Sequence, residues 1–301
     1  MRADEPMQKR EGWPMPLDYD LVKAWPIADM RQRFDVRDTM LYNLGVGAGI
    51  PDEDGHVDLR FVWERRLVPV PTMAAVLGEG ASWMLDPATT ISAGNMVHAE
   101  QSVIWHAPLP ASGEVIARTA VEEIYDKGAD RGAILVTRRT LHEADGDRTL
   151  ATIRGSVFLR EDGGFGGSAI APKPAFPAPS RPPDRRIAMP TRPEQALIYR
   201  LSGDYYPLHV DPEFARRIGF DGTILHGLAT YGFAARAIIA LAAEGDPERL
   251  AQLDVRFSAP VYPGETLEFD LWQVDRSTVA FVCRAGNRVA LSNGLAKIRA
   301  S

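Results

Sequence analysis

Hydrophobic and polar positions along this chain fall into a pattern that occurs twice. In the first half, residues 114–125, 132–142 and 148–159 are rich in β-branched side chains and predict strands. Asp145-Gly146, between the last two, is a hairpin-turn dipeptide. In the second half, Leu267, Phe269 and Leu271 alternate with Glu268, Asp270 and Trp272, the period of a half-buried strand. Segments 279–284 and 288–298 follow, joined across Ala285-Gly286-Asn287. Helical signals precede the strands in each half. Residues 37–44 carry them in the first. In the second, Asp211-Pro212-Glu213 opens a helix, with aspartate as N-cap and proline at the first helical position, and Gly219 can end it. A further helix is predicted over 227–243, with Leu228, Tyr231, Ala235, Ile238 and Ala242 on one face. Its alanines favour close packing against a sheet. Helices followed by antiparallel strands make an α+β layout.

A proline-rich stretch separates the halves. Residues 172–183, PKPAFPAPSRPP, hold six prolines, which remove backbone donors and favour extended geometry. Gly163-Gly164-Phe165-Gly166-Gly167 just before it is also loop-like. The expected organisation is an N-terminal half over residues 1–165, a linker over 166–186 and a C-terminal half over 187–301. Ala107-Pro108-Leu109-Pro110-Ala111-Ser112-Gly113-Glu114 resembles Ala259-Pro260-Val261-Tyr262-Pro263-Gly264-Glu265, and strand-like segments follow both. The matching order of elements argues for duplication.

Composition narrows the function classes. The 301 residues are 45% hydrophobic and 25% charged, an ordinary globular balance with enough apolar surface for a large core. The net charge of −6 offers no nucleic-acid surface, so a polyanionic ligand would need a local basic patch. The one cysteine, Cys283, excludes an internal disulfide and any multi-cysteine zinc site, and its apolar surroundings read as core. A reducing, cytoplasmic setting is expected. The N-terminus has no apolar signal region, and the C-terminal Arg299-Ala300-Ser301 matches no peroxisomal address. The longest apolar stretch, 228–243, is 16 residues long and contains Arg236, too short and too charged for a membrane span.

Candidate chemistry concentrates in residues 199–209, where Asp204 and His209 stand five residues apart on a segment that Ser202-Gly203 and Pro207 mark as a loop. On a loop the two can converge on one water. Hydrating a conjugated double bond needs a base to activate water, an acid to protonate the α-carbon, and donors for the enolate oxygen. Gly227 sits at the start of the 227–243 helix, where unpaired N–H groups and the helix dipole favour negative charge and a glycine admits close approach. Taken singly, Asp204 also reads as a turn or cap residue, and His209 as a structural histidine.

These segments together resemble a known family. Residues 199–209, then Val210-Asp211-Pro212-Glu213-Phe214-Ala215 and Gly219-Phe220-Asp221-Gly222-Thr223-Ile224-Leu225-His226-Gly227-Leu228, look like the signature of the MaoC-like hydratases, and more narrowly of the (R)-specific enoyl-CoA hydratase 2 family. Leu41-Tyr42-Asn43-Leu44-Gly45-Val46-Gly47-Ala48, His98-Ala99-Glu100-Gln101, Asp126-Lys127-Gly128, Gly163–Gly167 and residues 256–265 also look like that family. The resemblance implies a double hot-dog fold, two antiparallel sheets each wrapped around a central helix, with the catalytic loop in the second half only and a non-catalytic first half that shapes the acyl pocket. It also implies reversible syn hydration of a trans-2-enoyl-CoA to a (3R)-3-hydroxyacyl-CoA. Asp204 and His209 would hold the water, and the Gly227 N–H would receive the thioester oxygen. Tyr206, His226, His98, Gln101 and Arg256 would contact substrate. No metal or cofactor is implied beyond the CoA thioester, and a homodimer is expected.

Two departures stand out. The family has asparagine two residues after the aspartate where this chain has Tyr206, and alanine replaces a common glycine in His98-Ala99-Glu100-Gln101. Gly45-Val46-Gly47-Ala48-Gly49 fails the dinucleotide spacing because Ile50 holds the last position. His98 and Glu100 lack the cysteine pair of a zinc deaminase. Two other functions compete. Thioesterases on this fold carry a carboxylate on the central helix, whereas 228–243 has none. A non-catalytic acyl-CoA-binding protein would treat Tyr206 as a mark of lost activity.

Overall fold

Each half of the chain lays down five antiparallel strands in the same spatial order. The computed structural model describes residues 17–52, 54–92, 96–146, 148–169 and 177–300. The first half contributes β1 (Met30–Phe34), β2 (Met96–Trp105), β3 (Gly113–Asp126), β4 (Ala133–Glu143) and β5 (Thr149–Leu159). The second contributes β6 (Arg185–Pro190), β7 (Leu250–Phe257), β8 (Thr266–Gln273), β9 (Thr278–Ala285) and β10 (Arg288–Ile298). They form one ten-stranded sheet, β1-β3-β4-β5-β2-β7-β10-β9-β8-β6. Counting outward from the β2–β7 seam, both halves run in the same order. The two sheets expected from the resemblance are therefore joined edge to edge, with Glu100 opposite Arg256 and Ile104 opposite Gln252. The repeated proline-containing segments occupy equivalent links, β2 to β3 and β7 to β8.

The helices are α1 (Tyr19–Lys23), α2 (Val36–Gly45), α3 (Gln195–Tyr199), α4 (Pro212–Arg217) and α5 (Gly227–Ala242). Asp211 caps α4 by accepting from the Glu213 and Phe214 amides, as its sequence predicts. Around α5 the outcome differs from a one-faced helix. Residues Ala229 to Ala235 and Ala237 to Ile239 are all buried. The second-half sheet packs on one side of α5, and a buried 3-10 turn at Pro71–Ala75 together with Val46 packs on the other. Alanine and glycine are what such all-round contact requires.

One detail of the expected architecture changes. The first half has no central helix matching α5 among the described residues. The Pro71–Ala75 turn stands in that place, and α2, ten residues long, is the longest helix there. Pro69 and Pro71 upstream and Gly78 and Gly80 downstream leave room for little more than a turn. Strand β6 begins at Arg185, inside the segment expected to be linker. Residues 170–176 of that expected linker lie outside the described residues. Cys283 is fully buried, in keeping with a core role. In the Gly45–Gly49 segment, Gly47 lies against the Phe233 ring, where a side chain would clash, so packing accounts for that glycine.

The contact between α5 and Val46 yields a prediction. A Cβ on Gly232 would lie 2.2 Å from Val46 Cγ1. Overpacking of this kind costs about 1–3 kcal/mol, more than the helix propensity that alanine gains. Gly232→Ala should lower the denaturation midpoint, and adding Val46→Ala should recover part of the loss. A Gly232→Ala protein more stable than the parent would contradict the packing described.

Candidate active site

The loop between α3 and α5 folds back so that Asp204 and His209 face each other. Asp204 Oδ1 accepts the Tyr206 amide at 3.1 Å, a local turn that fixes the aspartate's direction. His209 ends a 3-10 turn, Pro207–His209, where proline presets the backbone. Asp204 Oδ2 and His209 Nε2 stand 3.9 Å apart. That gap is too wide for a direct hydrogen bond and suits one water held by both. The Asp204 side chain is half exposed, whereas His209 is 8% exposed, so the pair sits at an opening rather than sealed in the core.

The chain from Ile224 to Gly227 holds this pair in place. His209 Nδ1–H donates to the Ile224 carbonyl at 2.8 Å, which leaves the Nε2 lone pair facing Asp204. His226 Nε2–H donates to the Asp204 carbonyl at 3.2 Å. The His209 and His226 rings stack at 3.6 Å. Gly227 then begins α5, and the first N–H groups of a helix have no intrahelical acceptor. A Cβ on Gly227 would press on the Phe257 ring at 3.2 Å, so glycine keeps this terminus clear. Burial holds the His209 pKa below its ordinary value, against the pull of its bond to Ile224 and the Asp204 charge. Burial, then the adjoining His209, lowers that of His226 as well.

The remaining expected substrate contacts divide. Tyr206 is exposed at the mouth, with its ring edge-on to Phe214 at 5.5 Å and to His209 at 6.5 Å. The turn that an asparagine could support at this position is made here by the Tyr206 backbone amide and the Asp204 carboxylate, so the tyrosine leaves it intact. His98 and Gln101 are three residues apart on β2 and would face opposite ways on a regular strand. A bulge between His98 and Glu100 turns both to the inner face, where each approaches Gly155.

Two of the expected contacts lie away from the opening. His226 is 2% exposed and lies beneath His209, so it positions the loop rather than lining the opening. Arg256 projects from the outer face of β7, because alternation gives the inner face to Val255 and Phe257. There it pairs with Glu100 at 2.6 Å across the seam. Sequence reasoning missed Phe257, which touches both the start of α5 and the His98 ring (4.8 Å), and Tyr199, whose buried ring lies 4.8 Å from His226. Phe257 was legible as the inward neighbour of Arg256. The Ile224 carbonyl is backbone and carries no sequence signal.

Comparisons with known proteins bear on the family and the fold. Residues 33–161 match the family model described as the MFE-2 hydratase 2 N-terminal domain, and residues 175–290 match that of the MaoC like domain. The chain is 40% identical to the 3-hydroxyacyl-thioester dehydratase Y of Mycobacterium tuberculosis, covering 86% of this chain and 90% of that protein. It is 36% identical to the peroxisomal enoyl-CoA hydratase 2 of Arabidopsis thaliana, over 84% and 86%. The crystal structure of a MaoC-like dehydratase from Phytophthora capsici superposes with a TM-score of 0.79 at 31% identity, covering 94% and 98% of the two chains. Fold and relatives thus define a double hot-dog protein of the hydratase and dehydratase class. The chain belongs to the MaoC-like family, in its enoyl-CoA hydratase 2 branch.

The two buried imidazoles predict a pH dependence. Their folded pKa values lie below the ordinary 6.5, so the unfolded chain binds protons that the folded protein refuses. This contribution to stability is present above pH 6.5 and is lost as pH falls below it. The urea midpoint should fall between about pH 7.5 and about pH 5, and His226→Phe, which keeps a stacked ring, should show a shallower fall. Parallel slopes for parent and variant would refute the assignment.

Proposed function

We propose that this protein reversibly hydrates a trans-2-enoyl-CoA to a (3R)-3-hydroxyacyl-CoA, with Asp204 and His209 as the acid–base pair. The 3.9 Å separation of Asp204 Oδ2 and His209 Nε2 carries the reading. Both atoms are acceptors when aspartate is ionised and histidine neutral. A water between them donates one hydrogen to each and keeps a lone pair free for C3 of the enoyl group. The oxygen adds to C3 as the pair takes a proton, and electrons move through C2 onto the thioester oxygen. The free N–H groups at the start of α5, led by Gly227, meet that charge. The same pair then returns the proton to C2. Delivery from the face that held the water gives syn addition, and the dehydration direction uses the same steps reversed.

This reading needs no cofactor and no metal. Asp204, His209 and His226 each bring one possible ligand atom within 4.8 Å of the others. The two rings are stacked at 23°, so their lone pairs run side by side instead of converging, and His226 Nε2 is committed to the Asp204 carbonyl. Thioester hydrolysis is disfavoured because α5 carries no carboxylate.

No helix among the described residues is long and apolar enough to cross a membrane. We place the protein in a reducing cytoplasm, a setting supported by the single free thiol of Cys283. A homodimer is supported by apolar side chains exposed on the second half, among them Leu197, Leu201, Tyr205 and Ile218.

Asp204→Asn and His209→Ala should each lower kcat for enoyl-CoA hydration about 100-fold or more, read as loss of the conjugated absorbance, with thermal stability retained for Asp204→Asn. Chiral analysis of the product should give the (3R) alcohol. Turnover like the parent's in both variants, or release of CoA thiol without a hydrated product, would overturn the proposal.

A further inference from the structure

The inner face of the first-half sheet is apolar at both ends and polar across its middle. Toward one end Val115, Ala117, Leu141 and Ile153 join the main core. Toward the other Val121, Leu135 and Leu159 belong to a separate apolar cluster. Between them, alternation along the strands places Thr119, Thr137, Arg139, Gly155, Gln101 and His98. These residues are lateral neighbours. Gly155 pairs with both Thr137 and Gln101, and Arg139 pairs with Thr119. A methyl on Gly155 would lie 3.7 Å from Gln101 Oε1 and 3.8 Å from both His98 Nε2 and Thr137 Oγ1. Arg139 is buried and bonded to Glu79 and the Ala75 carbonyl, yet its Nε has no partner among the described residues.

This polar belt adjoins the hydration site. The His98 ring packs at 4.8 Å on Phe257, the ring that a side chain on Gly227 would strike. His98 lies in the field of both Glu79 and Asp204, and so does the buried Tyr199, whose hydroxyl also has no partner among the described residues. A thioester oxygen at the start of α5 therefore directs an acyl tail past Phe257 toward the belt. Part of this polarity is met internally, by His98 Nε2 with the Glu100 carbonyl at 3.2 Å and by Gln101 Nε2 with the Ser102 carbonyl at 3.4 Å. A plain hydrocarbon tail would cover the remainder, led by Arg139 Nε, without pairing it, which is costly in a buried setting, whereas an oxygen on the tail would pair with it. Charge narrows the choice. Glu79 already answers Arg139, and Asp204 adds negative charge on the approach, so a second carboxylate is repelled.

We propose that, given the hydratase reading above, the natural acyl group carries a neutral hydroxyl or keto oxygen beyond C3, and that Gln101 and Thr137, backed by Arg139, select for it. Saturated acyl-CoAs cannot be hydrated, so their binding reports on the belt alone. Calorimetry would compare a medium-chain saturated acyl-CoA with esters of the same length bearing a hydroxyl, an oxo group at successive tail positions, or a terminal carboxylate. The best hydroxyl or oxo ester should bind about tenfold more tightly than the plain chain. Thr137→Val, which keeps the side-chain shape, and Gln101→Leu should each erase most of that preference. Equal binding of plain and oxygenated esters at every position, tightest binding of the carboxylate ester, or a preference that survives both substitutions would overturn the proposal. Turnover of the corresponding trans-2-enoyl-CoAs is read separately. Selective binding with no hydration of any ester would defeat the hydratase reading and leave the selection of an oxygenated acyl group standing.

Discussion

The site depends on one backbone acceptor, the Ile224 carbonyl that takes the proton on His209 Nδ1. That bond fixes the ring and the tautomer together, so the lone pair on Nε2 faces Asp204. Two residues further on, His226 holds the Asp204 main chain, and the next residue starts α5. One short segment thus sets the histidine, the aspartate and the helix terminus in register. Hydration of a conjugated thioester needs these three elements in one frame, because the water, the proton path and the enolate charge must meet in a single geometry.

The two halves share a strand order and differ in what lies beneath it. Both halves build the same five-stranded order, but among the described residues only the second has a long helix beneath its strands. The first half has a proline-bounded turn there and, on its inner face, a row of polar side chains where a core would ordinarily be apolar. The duplicated unit has diverged into a half with a long buried helix beside the Asp204–His209 loop and a half with a polar inner face. Edge-to-edge joining at β2 and β7 brings His98 of one half against Phe257 of the other, so the polar inner face and the start of α5 share a boundary.

Much of this was legible in the sequence, for physical reasons that differ by element. Strands β3, β4, β5, β8, β9 and β10 announced themselves by β-branched runs and alternation, and α4 by its aspartate cap and proline. Strand β2 did not, because Met96 to Trp105 mixes polar inward residues with a bulge that breaks the two-residue period. Edge strand β6 pairs, among the described residues, only with β8 and shows a weak apolar pattern beside the prolines. Asp204, His209 and Gly227 stood out by spacing and residue type. The role of His226 did not, since a histidine beside a helix start reads equally as a ligand contact or a support. The pairing of Arg256 with Glu100 across the seam was not legible, since it depends on which face of the strand the arginine occupies.

The protonation of the His209 ring tests the central claim most directly. Nitrogen-15 NMR of histidine-labelled protein near neutral pH distinguishes a protonated ring nitrogen from a bare one. The structure predicts hydrogen on Nδ1 and a lone pair on Nε2 for His209, and that assignment should be lost in Pro207→Gly variants that loosen its turn. Hydrogen on Nε2 in the parent protein would leave no acceptor facing Asp204 and would contradict the account.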